Sequence, residues 1–166
     1  VFVLAPPRSG TTLMRVLRVG LPIGGALLAE VGLFSVGSLL VGRFGAVSLA
    51  AHAIALMLAS IAFMLPMGIG QAATIRVGLA AGAGDAPGVR AAGWVAYGLG
   101  VAVSAAAGLA FWLFPRPLLA LFLDTGHPEA AAVIELGVTF LAIAALFQLV
   151  DGAQAIGQGV LRGLKD

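Results

Sequence analysis

Two carboxylates stand in this sequence where carboxylates are rare. Glu30 lies 12 residues after Arg18 and 13 before Arg43 in an otherwise uncharged apolar stretch, and Asp151 lies 11 residues before Arg162 in another. On straight helices these separations correspond to about 18 Å and about 16 Å, which puts both acids near the middle of a bilayer and at similar depth. An ionised carboxylate in hydrocarbon costs several kcal/mol, from about 2.5 upwards, so such residues face a bundle interior or a water-filled cavity. Two chemistries are open to the pair: carrying protons or, when both are ionised, holding a small cation such as Na+ among hard oxygen ligands. A protonated acid hydrogen-bonded to a neighbouring helix is the purely structural alternative.

Asp151 also has polar company. Gln148, Gln154 and Gln158 lie three before, three after and seven after it, on one side of a helix with 3.6 residues per turn. Such a stripe either lines an aqueous path or bonds to partner helices, and the acid at its centre favours the path. In another apolar stretch His52, Gln71 and Thr74 stand near the ends, and a helix-end histidine is more often a hydrogen-bonding residue than a ligand.

The elements that position these residues follow from hydropathy. Of 166 residues 61% are hydrophobic and only 10% are charged, with a mean hydropathy of +1.11; a soluble domain carries about 25% charged residues. Charge is absent from Phe44 to Ile75 and from Ala91 to Pro115, and is limited to Glu30 between Val19 and Gly42 and to Asp151 between Leu136 and Leu161. Each stretch exceeds the roughly 20 residues that cross about 30 Å of hydrocarbon. The expectation is an all-α, polytopic membrane protein with four transmembrane helices, at about 19–41, 48–75, 91–114 and 135–161, preceded by a cytoplasmic or interfacial lead-in over 1–16. Pro66 removes a hydrogen bond inside the second span, so a kink is expected there. Gly82, Gly84, Asp85, Pro87 and Gly88 mark the break before the third span, and the segment from Pro115 to Glu129 reads as an interfacial loop with a short helix. Gly20 with Gly24, and Gly93 with Gly98, are small residues of the kind that lets helices approach closely; a glycine- and alanine-rich genome composition is the equal alternative.

Seven of the nine basic residues (Arg8, Arg15, Arg18, Arg76, Arg90, Arg162 and Lys165) fall on one side of this topology, and only Arg43 and Arg116 on the other. That bias places both chain ends in the cytoplasm of a protein integral to the cell (inner or plasma) membrane. Without cysteine there is neither a disulfide nor a thiolate metal site. No cleavable signal is apparent, and a start at Val1 with an end just after a span suggests a piece of a longer protein.

From about Arg15 to Asp166 the sequence resembles the multidrug and toxic compound extrusion (MATE) transporters, most closely four consecutive helices at the start of the carboxy-terminal lobe. The residues that carry the likeness are Arg18-Val-Gly-Leu-Pro-Ile-Gly24, Glu30-Val-Gly-Leu-Phe34, Leu49-Ala-Ala-His-Ala-Ile-Ala55 and Phe63-Met-Leu-Pro-Met-Gly68. Further along they are Ile75-Arg-Val-Gly78, Gly82-Ala-Gly-Asp85, Phe147-Gln-Leu-Val-Asp-Gly152 and Leu161-Arg-Gly163. The resemblance implies a twelve-helix, two-lobe antiporter, not an enzyme, that exports organic, often cationic, drug-like compounds in exchange for H+ or Na+. It also implies that acids at Glu30 and Asp151 belong to the cation site of this lobe. Some members carry an aromatic hydroxyl at the position of Phe147, and its loss here weakens the sodium reading relative to the proton one. No cofactor beyond the coupling ion is implied. The expected partners are the substrate, the lipid bilayer and the missing helices of the full-length chain, with no nucleic acid.

A second, shorter likeness covers Val1 to Met14, which resembles the strand and phosphate loop that open sulfotransferases; there Arg8, Ser9, Gly10, Thr11 and Thr12 would hold the donor's phosphate. Loop amides and hydroxyls at a helix start suit an anion, but a phosphate loop needs a parallel sheet behind it, which this chain does not supply. A fusion, a mis-joined segment and a chance likeness are the readings left open, and the plain alternative is a basic interfacial segment before the first span. The alternatives to an antiporter part are therefore the nucleotide-binding start of a different enzyme and a truncated membrane fragment without activity.

Overall fold

The computed structural model describes residues 11–124 and 126–164 and contains only helices among them. There are five: α1 (Thr11–Gly42), α2 (Ala46–Gly82), α3 (Ala86–Leu113), α4 (Pro115–Ala120) and α5 (Ala130–Gly163). The chain divides into two compact units, Val1–Arg43 and Phe44–Asp166. Among the described residues α2, α3 and α5 are long and apolar enough to cross a membrane, and in α1 the described apolar stretch is Leu28–Gly42. The backbone of α1 is nevertheless helical across the whole first expected span.

Within the first unit, α1 runs as one helix of 32 residues through Pro22. Its two serine hydroxyls do not seek outside partners: Ser35 Oγ donates to the Val31 carbonyl (2.8 Å) and Ser38 Oγ to that of Phe34 (3.0 Å). Internal bonding of this kind is how a polar side chain is tolerated on a helix in lipid.

In the second unit the helices outrun the spans read from hydropathy, and tertiary partners explain why. The 37 residues of α2 extend to Gly82, seven beyond the expected end at 75, and correspond to about 55 Å of helix. Its last turns stay helical because they are packed: Val77 is fully buried and lies against Gly163 at the end of α5. Then α2 stops in a Schellman motif, in which the Gly84 N–H donates to the Ala81 carbonyl (3.0 Å) and the Asp85 N–H to that of Ala80 (2.9 Å). Gly84 takes φ +70°, the left-handed geometry this cap requires and a side chain resists. Asp85 at once caps α3, its Oδ1 accepting from the Gly88 N–H at 3.0 Å, with Pro87 in the first turn where its missing N–H is harmless. The polar break seen in the sequence is therefore a tight link between two long antiparallel helices.

Pro115 ends α3 and opens α4, the short helix expected in the loop. Its fully buried Leu119 sits in the space left by the missing side chain of Gly137 on α5. One end of the unit is closed by a cluster of Ala55, Leu58, Phe111, Leu119, Leu141 and Ala145. Toward the other end large side chains give way to glycine. The buried residues of α5 recur every three or four positions, at Gly137, Leu141, Ala145, Gln148, Gly152, Ile156, Gly159 and Gly163, and this seam packs against both α2 and α3. Backbone meets backbone along it: a Cβ on Gly108 would stand 2.9 Å from the Ala145 carbonyl oxygen, and one on Gly70 2.9 Å from that of Ala155. Lipid supplies no hydrophobic drive between helices, so close van der Waals approach does the holding. The glycine expected to matter at Gly98 instead stands in open space.

Candidate functional site

Asp151 is partly buried in the seventh of about nine turns of α5, which is unbroken from Ala130 to Gly163, so its separation from Arg162 remains about 16 Å. The three glutamines around it do not share one environment. Gln148 is 1% exposed and points into the seam between the helices. Gln154 and Gln158 are on the exposed side, and Gln158 Oε1 accepts a hydrogen bond from Arg162 Nη2 at 3.1 Å. At 100° per residue the stripe is about 120° wide, enough for one edge to enter the core while the other stays outside. Asp151 sits on the boundary between them.

Beneath Asp151 lies a polar node that hydropathy did not reveal. Ser104 of α3, fully buried, has its hydroxyl where a Cβ of Gly152 would be, and Pro66 Cβ of α2 stands 3.6 Å from the same point. Pro66 lacks an N–H, so the carbonyl of Ala62 one turn earlier loses its helical donor. Gln148 is one turn before Gly152 on the same seam. Among the described residues neither Ser104 Oγ nor Gln148 Nε2 has a hydrogen-bond partner. Ser104 was legible only in hindsight: it is the one polar residue in the apolar run of α3, at the spacing of Gly100, Gly108 and Phe111.

Thr74, noted in the sequence only as a polar residue near a span end, has a defined task. Its hydroxyl bonds the carbonyl of Gly159 across to α5 at 2.8 Å and that of Gly70 in its own helix at 3.0 Å. Gln71 is exposed. His52 is partly buried with its ring edge-on to Phe140, centroids 5.7 Å apart, and its Nε2 has no hydrogen-bond partner among the described residues.

Glu30 belongs to the first unit, in which α1 is unbroken from Arg18 to Gly42, and there its side chain is exposed. Among the described residues no group of three or more His, Cys, Asp and Glu comes together to hold a metal ion. Of the phosphate-loop candidates, Arg8, Ser9 and Gly10 lie outside the described residues; Thr11 and Thr12 begin the α1 backbone.

Comparison with known proteins matches residues 22–166 to the MatE family model. A probable multidrug resistance protein NorM of Mesorhizobium japonicum is 54% identical over 150 residues, which are 90% of this chain and 32% of the relative. A protein of the same description from Brucella suis is 47% identical over 154 residues, 93% of this chain and 33% of the relative. The multidrug resistance protein NorM of Burkholderia vietnamiensis is 49% identical over 148 residues, 89% and 32% of the two chains. The chain thus spans about a third of the length of these relatives. A family model matched across all but the first 21 residues leaves no other assignment: the chain belongs to the MatE family.

Proposed function

We propose that this chain is part of a secondary active multidrug efflux antiporter, a transporter rather than an enzyme, which exchanges organic, often cationic, compounds for H+ or Na+ by alternating access. The observation that carries this reading is Asp151, partly buried on an unbroken apolar helix long enough to cross a membrane, at the border between a buried seam and an exposed face. Glu30 on α1 is assigned the second coupling carboxylate. Binding of the coupling ion at these acids and binding of substrate exclude one another, so a cation taken up on one side releases the drug on the other. Gln154 and Gln158 line the polar path, whereas Gln148 supports it from within the seam. The proton is the favoured ion, because Phe147 offers no oxygen ligand and two carboxylates suffice to carry protons.

In this reading the bias of basic residues puts both described ends in the cytoplasm, residues 1–16 form a lead-in at that surface, and further helices of the transporter complete the substrate cavity. The test is Asp151→Asn in the complete transporter, scored for drug resistance and for membrane insertion. Loss of resistance with normal insertion is expected; undiminished resistance would refute the coupling role.

A further inference from the structure

The outer side of the α2–α3 hairpin carries a furrow of about 460 Å³, lined by Ile69, Ala73 and Arg76 of α2 and by Ala92, Val95 and Leu99 of α3, with further small residues between. Its α3 wall runs from Gly88 to Leu99, 11 residues or about 16 Å. That is half of the roughly 30 Å hydrocarbon thickness, the depth of a single leaflet. Alanine and glycine make the furrow, because two helices faced with such short side chains leave a channel where larger ones would fill it. The single charge in the lining is Arg76, which is exposed and long enough to extend toward the headgroup level. Arg90, also exposed, lies near the start of α3 but outside the lining, and among the described residues the one carboxylate at that end, Asp85, accepts a hydrogen bond from the Gly88 N–H.

We propose that this furrow binds one acyl chain of an anionic phospholipid whose phosphate is held by Arg76. Shape and charge argue together: an apolar groove one leaflet deep with a guanidinium toward its headgroup end complements a lipid tail beneath an anionic head. A zwitterionic lipid fits the groove but gains less at Arg76, and a free phosphate gains nothing from the groove. The site is independent of Glu30 and Asp151.

Trp94, 67% exposed and next to Val95 of the furrow wall, provides the probe. With Trp112→Phe it is the only tryptophan of the chain. Reconstituted in phosphatidylcholine vesicles, its fluorescence is titrated with brominated phosphatidylglycerol or brominated phosphatidylcholine. Half-maximal quenching is expected at an about fivefold lower fraction of the anionic lipid, the effect of one basic residue near a charged membrane surface. Arg76→Gln should bring the two lipids to parity, and Ala92→Phe, which fills the furrow, should weaken quenching by both. Equal quenching by the two headgroups, or a preference that survives Arg76→Gln, would overturn the proposal. As a check that does not need the tryptophan variant, mass spectrometry of the purified wild-type chain should find phosphatidylglycerol retained at about one per chain and depleted in Arg76→Gln; no retention, or retention indifferent to Arg76, would overturn it equally.

Discussion

Replacing Gly159 with alanine puts a methyl group where the backbone of α2 already lies. The new Cβ would overlap the Gly70 carbonyl oxygen and stand 2.7 Å from its carbon and 2.9 Å from Gly70 Cα, against an optimum of about 3.5–4.0 Å between carbon atoms. Neither helix can yield locally, because the obstruction is backbone, so α2 and α5 must move apart. Overpacking of this kind costs about 1–3 kcal/mol. Separation also stretches the 2.8 Å bond from Thr74 to the Gly159 carbonyl, an interhelical bond of a type that contributes about 0.6 kcal/mol in membranes. Against these stands the better helix propensity of alanine, at most about 1 kcal/mol. Gly157→Ala is the control: two residues away on the same helix, its Cβ would meet nothing within 4 Å, so it gains the propensity without the collision. The two variants should differ by about 2–4 kcal/mol when unfolded in mixed micelles with rising sodium dodecyl sulfate and followed by circular dichroism. Stabilities within about 0.5 kcal/mol of each other would show that α2 and α5 do not meet at Gly159, and the close-packed seam would be wrong.

Three further outcomes are expected. Gln148→Leu removes a buried amide nitrogen that has no hydrogen-bond partner among the described residues, so stability in the same assay should be unchanged or up to about 2 kcal/mol higher; a loss of that size would show the amide to be bonded. Asp85→Ala deletes the cap on the Gly88 N–H and should cost about 1 kcal/mol, with faster hydrogen exchange in the first turn of α3, whereas Asp85→Asn should retain most of the protection. Arg116→Ala breaks the 2.8 Å pair with Glu135, but both side chains are about two-thirds exposed, so a thermal midpoint shift equivalent to more than about 0.5 kcal/mol would contradict the expected weakness of a solvent-screened pair.

The sequence alone determined that the chain is helical and lives in a membrane, because segregation of charge from long apolar runs is a one-dimensional property that lipid enforces locally. It also determined the α2–α3 link, since Gly84, Asp85 and Pro87 are each the residue type their cap position requires, and capping depends only on neighbours within a few residues. The separations of Glu30 from Arg18 and of Asp151 from Arg162 along their helices followed from counting at a fixed rise, because both helices are unbroken. Side-chain orientation did not. Four polar residues at helical spacing read as one stripe, yet only the tertiary structure decided that Gln148 enters the seam while Gln154 stays outside, because the border between them is drawn by the positions of α2 and α3. The same holds for glycine. Gly98 and Gly152 are indistinguishable in hydropathy, and what separates them is that α3 and α2 meet beside one of them. A repeat of Ala145, Gly152 and Gly159 every seven residues carried that information in the sequence, but a small residue records only that something can come close, and the fold decides what does.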